Sequence, residues 1–161
     1  MDVLILTTGG TIDKVHDLVR ETLVFDREAG SCVPAILTQA RADYPRVEQL
    51  MTHDSLDMID ADRQILVDTI LAAGEKAVVI THGTGTMGLT ARYVAERIKD
   101  KTVVLTGSMR PYSLGRSDAG FNLGGAVVAA QTCAPGVYGV MNGRVIDADE
   151  LEKNRTTGRF A

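Results

Sequence analysis

Three short apolar runs, within residues 2–7, 77–81 and 102–106, each end in a turn built from hydroxyl residues and glycine. The turns are Thr7-Thr8-Gly9-Gly10-Thr11, Thr81-His82-Gly83-Thr84-Gly85-Thr86 and Thr106-Gly107-Ser108. Continuous rather than alternating apolar runs suit strands that are covered on both faces. Helical periods separate them, so the chain reads as α/β: a three-layer, doubly wound, mostly parallel sheet with helices on both faces, flavodoxin- or Rossmann-like. Such sheets bind ligands beyond the carboxyl ends of their strands. All three turns are expected on that rim.

The remaining segments fill in this plan. Residues 12–31 are polar and aperiodic, which predicts a mobile loop with a short hairpin around Glu21 to Phe25. Pro34 suits the first turn of a helix that Tyr44-Pro45 stops. Val47 to Met51 is a strand candidate leading into the polar turn Thr52-His53-Asp54-Ser55-Leu56-Asp57-Met58. Asp60 is placed to cap a helix with Ile65, Leu66, Ile70 and Ala73 on one face, and Gly74 to end it. Leu89 to Ile98 is a further helix. Asp118 is placed to cap another, which contains Phe121, Ala126, Val127 and Ala130. Val137 to Met141, Asn142-Gly143 and Arg144 to Ile146 predict a C-terminal β-hairpin with a type I′ turn. The charged tail from Asp147 offers no new apolar segment.

Bulk properties narrow the function. The 161 residues fit one domain, 1–161, able to bury a core. The net charge of -4 has no block of one sign behind it, which argues against a nucleic-acid or polybasic membrane surface. The first residues lack a basic leader, and Gly9-Gly10 cuts the apolar run far below spanning length, so a cytoplasmic protein is expected. Cys32 and Cys133 form no C-x-x-C and have no matching histidine cluster. No metal or cofactor is expected, and the thiols are read as reduced. A small-molecule substrate is the default that remains.

Gly83, Gly85 and Gly88 spell G-x-G-x-x-G, the dinucleotide fingerprint. That fingerprint asks for an acid at the end of the next strand, about 20 residues on. The strand ends instead in Thr106-Gly107-Ser108. The alternative chemistry is acyl transfer: hydroxyls supply a nucleophile, and glycines let backbone N–H groups approach a developing oxyanion.

Several of these residues resemble the bacterial-type L-asparaginase family. Thr8-Gly9-Gly10-Thr11-Ile12 is similar to its first signature. Ile80-Thr81-His82-Gly83-Thr84 with Thr86-Met87 is similar to the second, which in the family reads H-G-T-D-T-M. Thr106-Gly107-Ser108-Met109-Arg110-Pro111, followed by Asp118 and Phe121-Asn122-Leu123, resembles a third segment. The resemblance reaches Lys153 and implies hydrolysis of L-asparagine to aspartate and ammonia through an acyl-enzyme, with no cofactor. It implies Thr11 as nucleophile, Thr84 and Lys153 as a second catalytic pair, Ser55 as the group that binds the α-carboxylate, and Gly10, Leu56, Gly83, Gly85 and Ser108 as substrate contacts. It also implies a short, single-domain form, expected as a homo-oligomer, whose site is closed by the loop, by another protomer, or not at all.

The departures are informative. The family's aspartate after the second threonine is Gly85, and its loop tyrosine has no counterpart between Ile12 and Ser31. Leu56 stands where many members carry a polar residue. A lost charge-assisted bond to the substrate ammonium weakens binding by about 1.5 to 3 kcal/mol. Weak or altered activity on asparagine is therefore expected, unless Asp54 or Asp57 supplies the missing charge. The alternative is a catalytically impaired asparagine- or aspartate-binding domain.

Overall fold

The computed structural model describes residues 2–160. A six-stranded sheet runs in the order β4-β1-β5-β6-β7-β8, with β1 Val3–Gly9, β4 Arg46–His53, β5 Ala77–Thr81, β6 Thr102–Thr106, β7 Gly136–Met141 and β8 Arg144–Asp147. All neighbours are parallel except β7 and β8, the expected hairpin. Asn142 (φ 54°) and Gly143 (φ 76°) supply its two positive-φ positions. Thr7 pairs with Thr81 and Thr81 with Thr106, so the three hydroxyl-ended strands finish in register on one rim.

Side chains on successive strand residues point to opposite faces and build two cores. Leu4, Leu6, Val78, Ile80, Val103 and Leu105 meet α2 (Asp60–Ala72) and α3 (Met87–Arg97). Val3, Ile5, Ala77, Val79 and Val104 meet α1 (Val33–Gln39) and α4 (Ala119–Thr132). The segment read as a mobile loop contains a real antiparallel pair, β2 Lys14–Asp17 with β3 Thr22–Phe25.

Four local expectations are corrected. Helix α1 ends at Gln39, well before Tyr44-Pro45. Arg41 takes φ 54°, and Ala42 N–H bonds to Leu37 O while Arg41 N–H bonds to Thr38 O, a Schellman stop without glycine. Asp60 is not the cap of α2. Ile59 precedes the first turn, and Asp62 reaches back to accept its N–H at 3.0 Å. Asp118 does not cap α4 with its side chain, because its carboxylate accepts the N–H groups of Met109 and Arg110. Finally, the tail does contribute apolar groups, since Leu151 and Phe160 are buried in the first core.

Gly74 leaves the end of α2 to another device. Lys101 is buried, and its ammonium donates to Ile70 O at 2.6 Å and to Ala73 O. Lys101→Met is expected to leave both carbonyls without that partner and to cost about 1 to 3 kcal/mol. Urea unfolding checks this through a lower midpoint at unchanged slope.

Candidate active site

The strand-end turns touch through their glycines. A Cβ on Gly10 would lie 2.5 Å from Gly83 N, and Gly10 has φ 82°, so glycine is required on both counts. A Cβ on Gly83 would lie 2.6 Å from Ser55 Oγ, in the 3₁₀ turn Ser55–Asp57 that follows β4. Thr86 Oγ donates to Ser55 O at 2.7 Å and fastens the two turns. Thr11 follows Gly10 and Thr84 follows Gly83. The two threonines therefore stand on adjoining turns.

The Thr11 turn is held from below. Ile12 is buried, and Asp13 accepts Ser31 Oγ and Cys32 N, both at 2.9 Å. Burial raises the Asp13 pKa despite these donors, and burial also pushes the Cys32 thiol up. Beside it, Lys14 pairs with Asp54 at 2.5 Å and sits over the Phe25 ring, tying the β2–β3 hairpin to the Ser55 turn. The Lys14 hydrogen bond holds the Asp54 carboxyl below its usual range.

Lys153 reaches this rim from the far end of the chain. Its Nζ donates to Thr84 Oγ1 at 3.1 Å across 69 residues of sequence. The position depends on Leu151, which is fully buried between the start of α3 and β7. A Cβ on Gly88 would lie 2.0 Å from Leu151 O, and one on Gly139 would lie 2.3 Å from Leu151 Cδ1. Gly88, a letter of the supposed dinucleotide fingerprint, is thus a packing glycine under the tail.

A buried polar chain supports the Thr84 turn. Arg63, itself buried, pairs with Asp60 at 3.0 Å and donates from Nε to Thr90 Oγ1 at 3.1 Å. Thr90 Oγ1 is 2.8 Å from His82 Nε2, and His82 Nδ1 is 2.7 Å from Gly83 O. Only one proton pattern satisfies every atom: Thr90 donates to Nε2, and Nδ1–H donates to Gly83 O. His82 is therefore neutral. Desolvation first, with the nearby Arg63 charge adding to it, lowers its pKa from 6.5 to about 4.

This has a pH consequence. The unfolded chain takes up the histidine proton at higher pH than the folded one, so the neutral-histidine contribution is complete above 6.5 and is lost as pH falls toward 4. The full loss is about 3 kcal/mol. Urea unfolding of the wild type should show that decline between pH 6.5 and 4.5, and His82→Gln should flatten it. An equal slope in both proteins would refute the assignment.

Of the residues singled out in the sequence, Gly10, Ser55, Gly83, Gly85 and Leu56 form one cluster, and Thr84 with Lys153 forms a hydrogen-bonded pair beside it. The Ser108 hydroxyl turns away, donating to Arg110 O at 2.7 Å. Thr8 and Thr106 likewise give their hydroxyls to the carbonyls of Thr81 and Val140. Three of the strand-end hydroxyls are thus committed to backbone carbonyls, while those of Thr7 and Thr81 are buried without a hydrogen-bond partner. Arg63 and Thr90 were missed. A signal for Arg63 existed, since it falls on the apolar stripe with Leu66, Val67 and Ile70. Among the described residues no group of three or more His, Cys, Asp or Glu is arranged to hold a metal ion, and no helix is long and apolar enough to cross a membrane.

Fold and site together define a doubly wound α/β protein with a hydroxyl- and lysine-bearing rim at the carboxyl ends of its strands. The family model "Asparaginase, N-terminal" matches residues 2–161, and the chain belongs to the asparaginase family. L-asparaginase 2 of Escherichia coli (strain K12) is 35% identical over 167 residues, covering 97% of this chain and 47% of that protein. The crystal structure of L-asparaginase I from Vibrio cholerae has a TM-score of 0.85 at 26% identity, covering 98% of this chain and 49% of that one. The probable cytoplasmic L-asparaginase from Campylobacter jejuni has a TM-score of 0.78 at 34% identity, covering 94% and 49%. The chain spans about half the length of the relatives it matches.

Proposed function

We propose that this chain is an amidohydrolase that converts L-asparagine to L-aspartate and ammonia. Thr11 Oγ attacks the side-chain amide carbon, the C–N bond breaks, and the threonine proton leaves with the nitrogen as ammonia. Water then cleaves the resulting ester, releasing the acid and restoring the hydroxyl. A threonine hydroxyl needs a proton acceptor to become a nucleophile. Thr84, on the turn adjoining that of Thr11, relays that proton to Lys153, whose Nζ lies 3.1 Å from its hydroxyl. The single observation that carries the reading is the 3.1 Å bond between Lys153 Nζ and Thr84 Oγ1, which joins distant parts of the chain at the crevice.

Turn glycines give the site its second component. At Gly10 and Gly83 the backbones approach closely; the Gly10 N–H donates to His53 O at 3.0 Å, so the Gly83 N–H is the one proposed to stabilise an oxyanion. The same proposal includes a cytoplasmic setting, consistent with two free, half-buried cysteines, and self-association. The exposed Phe121, Val128 and Val145, along a groove of about 560 Å³ between α4 and β8, offer an apolar face for it.

The test is ammonia release from asparagine with hydroxylamine present. An acyl-enzyme partitions to hydroxylamine, so aspartate β-hydroxamate should form alongside aspartate. Ammonia without any hydroxamate would contradict the covalent route, and absence of both products would overturn the activity.

A further inference from the structure

The backbone of His82 has little freedom. Its N–H donates to Thr106 O at 2.8 Å, and its carbonyl lies against Gly107, where a Cβ would stand 2.3 Å from the His82 oxygen. The imidazole is the adjustable part of the residue, and two helices reach it. Thr90 of α3 meets Nε2 at 2.8 Å, and Arg63 of α2 donates from Nε to the same Thr90 oxygen at 3.1 Å. On the other side of the ring, Nδ1 lies 2.7 Å from Gly83 O.

The Arg63 N–H occupies one lone pair of Thr90 Oγ1 and leaves the hydroxyl proton to point at Nε2. The ring proton then stands on Nδ1. With that proton on Nε2 instead, two lone pairs would face each other across the 2.7 Å between Nδ1 and Gly83 O. A trans peptide sends its carbonyl and the following N–H in opposite directions. Anchoring Gly83 O on the ring thus fixes the plane from which Thr84 leaves the turn, and Thr84 is the residue that meets Lys153. Thr86, bonded to Ser55 O, secures the other end of the turn. The guanidinium is an expensive means to this end. Arg63 shares its buried helix face with Leu66, Val67 and Ile70, where an apolar side chain would shed no charge hydration.

We propose that Arg63 and Thr90 are positioning residues for amide hydrolysis: they hold the His82 ring, as its Nδ1–H tautomer, against Gly83 O, and so hold Thr84 on Lys153. Both are buried too deeply to touch a substrate and act only through the ring. This inference rests on the amide-hydrolysis reading above and adds to it two residues from the helices behind the rim.

Thr90→Val keeps the shape of the side chain and removes its hydroxyl. It should lower kcat for ammonia release from asparagine by about tenfold to a hundredfold, with KM within about threefold of wild type, as expected when a reacting group is displaced and the binding surface is not. Thr90→Ser should restore most of that loss, and Arg63→Met should lower kcat in the same direction. Nitrogen–proton correlation spectra of the imidazoles give a readout apart from turnover. The full chain has three histidines, and His82→Gln assigns the ring in question. Near neutral pH the wild type and Thr90→Ser should show a protonated Nδ1 and a hydrogen-bonded, bare Nε2, whereas the Nε2 signal of Thr90→Val should move downfield to that of an unbonded nitrogen. Wild-type kcat in Thr90→Val or in Arg63→Met overturns the inference, as does a Thr90→Ser protein no better than Thr90→Val, which would assign the loss to packing. A wild-type ring protonated on Nε2, with ammonia release intact, overturns the inference alone. No ammonia from the wild type overturns the hydrolysis reading and the positioning role together. Where Thr90→Val does not fold, the wild-type spectrum and Arg63→Met decide the question.

Discussion

Thr11→Ala and Thr84→Ala should each lower kcat for ammonia release by on the order of a thousandfold or more, and the double variant should be little worse than either. The proposed mechanism divides the labour: one hydroxyl would form the bond and the other would conduct its proton to Lys153, so neither step would proceed without the other. Near-additive losses would mean that the two threonines act separately. Fold damage is not the expected cause, because Thr84 is held by its turn and Thr11 by the Ile12 and Asp13 anchors below it. Circular dichroism and unfolding midpoints close to wild type should accompany the loss. Either variant retaining activity within about tenfold of wild type would remove that residue from the mechanism.

Gly88→Ala should damage stability and activity together. Its Cβ would press within 2.0 Å of the Leu151 carbonyl, and backbone on both sides leaves no rotamer to relieve the contact. Overpacking of this kind costs about 1 to 3 kcal/mol. The chain can escape only by lifting the tail, which draws Lys153, two residues on, away from Thr84. A displacement near 1 Å at a catalytic group costs about a hundredfold in rate. Gly139→Ala is the instructive companion. Its clash is with the Leu151 side chain, so Leu151→Ala should partly relieve it while leaving the Gly88→Ala defect uncorrected. Urea midpoints and ammonia release, measured on all four proteins, separate the two cases.

The sheet could be read from sequence because β1, β5 and β6 are unbroken apolar runs with glycine stops, a pattern with few structural solutions. The hairpin at Asn142-Gly143 could be read because its turn chemistry is local. Helix ends were less legible. Arg41 adopts a left-handed conformation that glycine usually takes, and Lys101 caps α2 from 28 residues beyond Ala73, so no nearby residue announces either stop. The tail was misjudged because a single leucine, Leu151, has no period to mark it. What buries Leu151 is the absence of side chains at Gly88 and Gly139, which are 63 and 12 residues earlier.

The cluster of Gly10, Gly83 and Ser55 was legible through its motifs. The Arg63–Thr90–His82 chain was not, because each member has an ordinary meaning alone and only the packing of α2 on α3 brings them into line. A buried arginine on a helical apolar stripe deserves weight as a sign of a polar network, since charged groups are almost never fully buried unless partnered.

Lys153 sits after every strand of the sheet, and this sets the order in which the crevice can become complete. The hydroxyls at residues 11, 55 and 84 belong to elements formed before β8, whereas the amine arrives only when Leu151 seats in its slot. In a chain made from its amino end, the three hydroxyls are therefore synthesised before the amine that meets Thr84. On the proposed mechanism, activity would await the seating of Leu151.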